Sequence, residues 1–373
     1  MPIGLSGLFK RWIMSIDRVI LSTSLALLAI GIWVSIASTP AVAMKLGLAP
    51  FHFVKQHILI APIAVFIMVF ISFLQVRHIR RLALIGYFIC IGLIICTLIF
   101  GIEIKGARRW LSIFGFSLQA SEFLKPTIAI LTAWLISEQY RDRQFPGIAL
   151  STICIALVIP LLLFQPDVGM TVVLVLTWFS QLFISGLSIF MIISFVLASI
   201  GAMVGLYFIL PHFATRIDKF LLQSDVDTDL YQIQKSIEAF KSGGLWGKGP
   251  GEGVVKTLLP DSHSDFVFSV IGEEFGFIVC LLIISLFIIL IIRSISQIIK
   301  SSGLFNFIAV FGILFQITLQ VLVNICTSLN LIPTKGMTLP FISYGGSSML
   351  ATAISLGVVL AITKKNVLNS NSL

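Results

Sequence analysis

The stretch FVFSVIGEEFGFIVCLLIISLFIILIIR, residues 266–293, decides how this chain must be read. From Phe275 to Ile292 it is almost unbrokenly apolar, and about 20 apolar residues in a helix span the hydrocarbon core of a bilayer. Working outward, comparable runs recur at about 17–38, 56–74, 81–101, 121–138, 147–164, 168–184, 186–211, 303–327 and 345–363. In lipid every backbone polar group must be satisfied internally, so such runs fold as helices. The sequence therefore predicts an all-α polytopic membrane protein of about ten transmembrane helices, with residues 1–373 forming a single transmembrane domain. Composition agrees: 58% of the 373 residues are hydrophobic and 11% charged, against about 25% charged in a soluble domain. Mean hydropathy is +1.07.

The net charge of +9 does not point to nucleic acid, because the 25 Lys and Arg are scattered between apolar runs. Their pattern sets topology and meets the headgroups of membrane lipids. Segments on one side hold Lys10, Arg11, Arg18, Arg77, Arg80, Arg81, Arg141, Arg143, Arg293, Lys300, Lys364 and Lys365. The opposite short loops hold Lys45, Lys55, Lys105, Arg108, Arg109, Lys125 and Lys335. By the positive-inside rule both termini are expected in the cytoplasm. Two extracytoplasmic loops follow, at about 102–120 and, between helices 7 and 8, a large one at about 212–265. The first sixteen residues carry no small-residue cleavage site and read as retained. Cys90, Cys96, Cys154, Cys280 and Cys326 all lie in apolar runs and read as small core residues; His52, His57, His78, His212 and His263 form no metal-ligand pattern.

Candidate chemistry gathers at the outer ends of the spans. In LLPDSHSDFVFSVIGEEFGF, residues 258–277, Asp265 stands where the long loop meets the eighth span, followed by Glu273 and Glu274 inside it. Intramembrane carboxylates are costly and normally face a polar cavity. Asp265 reads either as a site residue or, with Ser264, as a helix cap; Glu273 and Glu274 read as structural polar contacts between helices. His263, two residues before Asp265, either tunes its proton or is an exposed loop histidine. In KGARRWLSIFGFSLQASEFLK, residues 105–125, the cations Lys105, Arg108 and Arg109 beside Trp110 suit either a phosphate group or headgroup anchoring. Glu122 and Lys125 have the spacing of a helical ion pair. Asp167, in FQPDVGMT at 164–171, either caps the sixth span or lines a cavity shared with Asp265. SGGLWGKGPGEG, residues 242–253, lacks the context of a phosphate-binding P-loop and reads as a turn-rich loop with close backbone approach. LPFISYGGSS, residues 339–348, supplies Ser343 as a further site candidate, and Ser347 or Ser348 to cap the tenth span.

Taken in order, GARRWL with QASEFLK, QPDVG, YQIQKSIEAFKSGGLWGKGPGEG, LPDSHSDFVFSVIGEEFGF and PTKGMTLPFISYGGSSM resemble the SEDS family of bacterial cell-wall proteins, the group containing RodA, FtsW and SpoVE. PTKG and GKGPGEG look more like the division-associated FtsW than RodA. The family pattern has QPSE where this chain has Gln119-Ala120-Ser121-Glu122, and usually an acidic residue such as Glu at Asp261. The resemblance implies a peptidoglycan glycosyltransferase polymerising lipid II at the outer face of the cytoplasmic membrane during septal wall synthesis. It implies a class B penicillin-binding transpeptidase as partner, among other division proteins. The family's proposed catalytic aspartate falls on Asp265, within His263-Ser264-Asp265-Phe266.

On that basis Asp265 is expected to act as general base on the acceptor sugar hydroxyl, with inversion at the donor carbon. Arg108, Arg109 and Lys125 are candidates to neutralise the departing diphosphate, and Glu122, Asp167, His263, Ser343 and Ser347 to line the substrate site. A divalent cation, Mg or Mn, is admitted as a helper, with no ligands assignable. A lipid II flippase or a non-catalytic division scaffold are the competing readings; against transport stand the absence of an evident inverted repeat and an ionisable cluster near the outer face instead of the midplane.

Overall fold

The computed structural model describes residues 12–104, 107–113, 116–186, 189–209, 214–215, 218, 228–259, 261–301, 303–332 and 336–364. Lys10, Arg11, Lys105, His212, Lys335 and Lys365, and part of the 212–265 loop, lie outside the described residues. A helix stands at each expected span: α1 (Arg18–Lys45), α2 (His52–Phe73), α3 (Val76–Phe100), α4 (Ala120–Arg141), α5 (Gly147–Phe164), α6 (Val168–Ile184), α7 (Ile189–Ile209), α9 (Val267–Ile299), α10 (Leu304–Ser328) and α11 (Gly346–Ile362). Among the described residues, 6 helices are long and apolar enough to cross a membrane by length and composition alone: α1, α2, α3, α5, α9 and α10. The chain is a multi-pass membrane protein. Its outward surface is hydrocarbon-like, with Phe70, Phe88, Phe100, Phe164 and Phe208 all exposed, as a lipid solvent allows.

α4 is the exception that organises the rest. It carries Glu122, Lys125, Glu138 and Arg141, yet packs against α3, α5, α6, α10 and α11, and most of its length is buried. A helix surrounded by protein has no need of an all-apolar surface. On one side it joins a core of α3, α5 and α6 residues, including Tyr87, Leu124, Val158 and Leu174; on the other it meets the larger core shared by α1, α2, α9, α10 and α11. α7 meets the bundle where Phe195 stacks on Phe179 at 3.7 Å.

The two long loops hold more structure than was expected of them. The 102–120 segment is an antiparallel three-stranded meander, β1 (Ile102–Ile104), β2 (Ala107–Ile113) and β3 (Phe116–Leu118), in the order β1-β2-β3. The 212–265 stretch contains an amphipathic helix, α8 (Thr228–Gly243), whose Ser236, Ala239 and Gly243 face inward at helical spacing while Glu238 and Lys241 face out. The Ser236 hydroxyl meets that of Ser269 on α9 at 2.5 Å and donates to the carbonyl of Ser328 at the end of α10. α10 ends in a Schellman motif: Asn330 adopts φ 60°, Leu331 N–H donates to Cys326 C=O at 2.8 Å and Asn330 N–H to Thr327 C=O at 3.1 Å.

Helix α9 is broken inside its span. Gly276 takes φ 78° and ψ 179°, a left-handed backbone that favours glycine. The amides freed by the break find partners in the glycine-rich loop, Phe277 N–H donating to Gly244 C=O at 3.0 Å and Ile278 N–H to Leu245 C=O at 3.3 Å. Reciprocally, Lys248 N–H donates to Glu273 C=O at 3.0 Å and Gly249 N–H to Glu274 C=O at 2.9 Å. A Cβ on Gly247 would collide with the Glu274 carbonyl, so the close backbone approach expected of SGGLWGKGPGEG is what docks it.

At the opposite ends of the helices, Asp17 caps α1 through the N–H groups of Val19 and Ile20 and pairs with Arg293 of α9 at 2.8 Å. Burial pushes its carboxyl up, but the bonds from Arg293 and the two amides outweigh this and hold it below the ordinary value. A depressed carboxylate stabilises the fold above its unfolded pKa, and that contribution is lost as pH falls through the folded pKa. Asp17→Asn is therefore expected to lower thermal stability at neutral pH and to flatten the loss of stability on acidification below about pH 4. Detergent-phase melting across pH 3–7 checks both, and equal acid sensitivity in the two proteins counts against the assignment.

Candidate active site

The turn that presents Asp265 is built by its own backbone. Asp261 sits at φ 57°, a conformation that Asp tolerates, and its carbonyl accepts from the N–H groups of Ser264 and Asp265, both at 3.1 Å. The capping reading fails here. α9 starts after Phe266, which makes no side-chain cap, and Ser264 Oγ turns back to the Asp261 carbonyl at 3.4 Å. Asp265 is half-buried, and a Cβ on Gly336 would lie 3.4 Å from its Oδ2. The carboxylate thus stands against the loop between α10 and α11.

That loop is tied to the Asp265 turn at several points. Ser343 Oγ donates to Ser264 C=O at 2.6 Å and accepts from Leu339 N–H at 2.8 Å, while Tyr344 N–H donates to His263 C=O at 2.9 Å. Ser343 is thereby a brace between the two segments. His263 is not an exposed loop histidine: its ring stacks on Phe53 of α2, centroids 5.2 Å apart, and lies 5.6 Å from Tyr344. The Tyr344 hydroxyl donates to Gln56 of α2, and burial pushes its pKa up to about 12, which keeps it a neutral donor.

Gly336 and Met337 also wall a polar cleft lined by Gln119, Glu122, Lys125, Asp167, Met170, Val173 and Gln320. Glu122 and Lys125 form the expected ion pair, at 2.5 Å and almost wholly buried. Lys125 Nζ therefore brings a cation to the cleft with a carboxylate beside it. Asp167 caps α6, accepting from Met170 N–H at 3.3 Å, and also lines the cleft, whose lining reaches Gly336 beside Asp265 but not Asp265 itself. The water-sized space in the cleft is about 10 Å³, room for about one water, so a sugar enters only with movement of its walls.

Arg108 and Arg109 do not act as a pair. They are consecutive on strand β2, and consecutive strand residues point to opposite faces. Arg108 pairs with Glu103 across the meander at 3.3 Å and is half-exposed, away from the cleft. Arg109 turns inward, donating to the carbonyls of Gln165 and Pro166 and lying 3.8 Å from Asp167. The expected cap by Ser347 is not found either. α11 begins after Gly345 with no side-chain cap; Ser347 Oγ instead accepts from Gln119 N–H at 3.0 Å, fastening the start of α4 to α11, and Ser348 meets Thr338 at 2.7 Å.

Glu273 and Glu274 contact the glycine-rich loop, not a neighbouring helix. Glu273 accepts from the N–H groups of Val255 and Lys256, each at 2.8 Å; Glu274 accepts from Gly251 N–H at 3.1 Å and pairs with Lys256 Nζ. Lys256, 6% exposed, also donates to Ala37 C=O of α1 at 3.1 Å. Sequence reasoning passed over it because it stands alone in a loop with no motif. It passed over Asn324 as well, whose side-chain amide donates to the backbone carbonyls of Asp265 at 3.0 Å and Met337 at 2.7 Å. Among the described residues no three His, Cys, Asp or Glu side chains converge as a metal-ligand set, and the acids on the cleft already face Lys125 and Arg109. These residues do not by themselves fit a resident divalent cation.

Comparison with known proteins accords with this arrangement. Residues 17–367 match the FtsW/RodA/SpoVE family, described as cell cycle protein. The chain is 38% identical over 355 residues to a probable peptidoglycan glycosyltransferase FtsW of Caulobacter vibrioides, covering 95% of this chain and 90% of that protein. It is 33% identical to a protein of the same description from Trichlorobacter lovleyi, covering 93% of each. Its fold is similar to the crystal structure of the rod shape determining protein RodA of Thermus thermophilus, with TM-score 0.66 and 26% identity over 93% of this chain and 96% of that one. A chain from a structure described as a peptidoglycan synthase complex, coordinating polymerization and crosslinking, gives TM-score 0.78 at 24% identity over 93% of this chain and 97% of that one. With the family matched from the cap of α1 to beyond the end of α11, this chain belongs to the FtsW/RodA/SpoVE family of cell cycle proteins.

Proposed function

We propose that this protein is a peptidoglycan glycosyltransferase that polymerises lipid II into glycan strands at the outer face of the cytoplasmic membrane during septal wall synthesis. The observation that carries this reading is Asp265: a half-buried carboxylate that does not cap its helix, set against the Gly336 wall of a cleft holding Glu122, Lys125 and Asp167. In this reading both termini are cytoplasmic, and the meander and α8 lie outside.

Asp265 removes the proton from the acceptor sugar 4-hydroxyl as its oxygen attacks the donor anomeric carbon. The new C–O bond forms as the bond to the polyprenyl diphosphate breaks, with inversion, and the proton on Asp265 is then lost to water. Negative charge builds on the diphosphate, and Lys125 is the cation placed in the cleft to meet it. Arg109 acts one layer behind, holding Asp167 and the α5–α6 turn. Arg108 is left to the membrane surface. Among the described residues no side-chain set would hold a Mg or Mn ion, and no step is assigned to one. Relatives named as glycosyltransferases and the likeness to a chain of a peptidoglycan synthase complex support the activity and a class B penicillin-binding transpeptidase as partner.

Purified protein with its transpeptidase is expected to make glycan strands from lipid II in detergent, where no compartments exist and a flippase would yield none. A preparation that binds its partner but makes no strands would overturn the polymerase reading and leave the flippase and scaffold readings. Loss of product on chelation, restored by Mg or Mn, would show that polymerisation requires a divalent cation.

A further inference from the structure

We propose that Asn324 is a positioning residue for the base: by holding two backbone carbonyls at once, it sets the Asp265 carboxylate in register with the cleft wall. The inference rests on the reading of Asp265 as general base. Asn324 lies on α10, 59 residues along the chain from Asp265, and is 1% exposed. Both hydrogens of its amide are committed, one to the Asp265 carbonyl at 3.0 Å and one to the Met337 carbonyl at 2.7 Å. These belong to the two segments that face each other across the carboxylate, since Gly336, next to Met337, is the residue whose Cβ would meet Asp265 Oδ2.

The unused end of the amide argues against simple helix glue. Asn324 Oδ1 is buried with no hydrogen-bond partner in the structure. An orphaned buried acceptor is destabilising, which offsets part of what the two donated bonds contribute to stability. Leucine would remove that acceptor but leave the Asp265 and Met337 carbonyls without this donor. What leucine cannot supply is a pair of donors fixed about one planar nitrogen, which sets the spacing of the two carbonyls and through them of the carboxylate and the wall. Displacement of a catalytic group by about 1 Å can cost about 10²-fold in rate.

The test compares Asn324→Leu, Asn324→Asp and Asp265→Ala as full-length proteins with their transpeptidase, measuring lipid II polymerisation and thermal melting. Asn324→Asp keeps the shape while replacing both donors by acceptors, so it stands in if the leucine variant does not fold. The expected result is a kcat lowered by about 10- to 10²-fold at a temperature where the variant is still folded, with KM for lipid II within about twofold of the parent. Parental kcat in a folded Asn324 variant, with Asp265→Ala inactive, overturns the inference and leaves the base assignment standing. A fall in kcat that tracks loss of melting temperature in both Asn324 variants overturns it too, by making the role structural. Polymerisation at the parental rate by Asp265→Ala would remove the base itself, and the inference with it.

Discussion

Asp265→Asn is expected to reduce lipid II polymerisation by about 10²–10⁴-fold, the typical contribution of a positioned general base, in a protein that folds and binds its transpeptidase as the parent does. The two halves of that expectation have separate structural grounds. Two hydrogen bonds help to place residue 265 through its backbone, from its N–H to Asp261 and from Asn324 to its carbonyl, and an asparagine keeps both. Because the side chain does not cap α9, its neutralisation leaves the helix start unchanged. The amide is isosteric but cannot take a proton from a sugar hydroxyl. Strand formation at the parental rate by purified Asp265→Asn would show that the base lies elsewhere, and a folded but unproductive variant in cells would separate polymerase from scaffold.

The second large effect is on folding. Lys256→Met is expected to destabilise the protein by about 3–5 kcal/mol, because it leaves Glu274 buried without its cation. Methionine preserves most of the volume, so the loss reports charge and not a cavity. The glycine-rich loop should loosen first, since Lys256 also bonds the Gly251 carbonyl at 3.2 Å and α1 through Ala37. Limited proteolysis is expected to cut within residues 244–258, with a lowered melting temperature in detergent. Adding Glu274→Gln should recover a substantial part of the stability, because removing both charges avoids the unpaired one. A single variant that melts with the parent, or a double variant no better than the single, would show that the pair does not hold the loop.

The spans were legible because lipid imposes a simple demand on sequence. Apolar runs of the right length recur wherever the chain crosses, and α4 was found despite four charged residues because its apolar run is continuous between them. The meander was not legible. ARRWLSI reads as a cationic cluster, and its alternation of outward Arg108 and Ser112 with inward Arg109 and Leu111 is too short to outweigh the neighbouring helical pattern. The break in α9 did leave a sign: two glutamates followed by Gly276 inside an apolar span. The partners of those glutamates left none, since hydrogen bonds to backbone amides of Gly251, Val255 and Lys256 are independent of side-chain identity. The serine caps failed for a related reason. Ser264 and Ser347 stand where caps belong, but the Asp261 carbonyl and the Gln119 amide compete for their hydroxyls, and propensity for a cap does not reveal such partners. Asn324 was hidden likewise, one of several amides along its span with nothing in the local pattern to set it apart.

The interruption at Gly276 has a mechanical corollary. An intact span transmits a change of tilt along its whole hydrogen-bond ladder, and spans tilt as bilayers thin or thicken. Here the ladder is interrupted, and the N-terminal piece of α9 is bonded to the glycine-rich loop while the turn before it is bonded to α10. A change of tilt in the longer, lipid-facing piece therefore has no continuous helical ladder through which to reach the turn that carries Asp265.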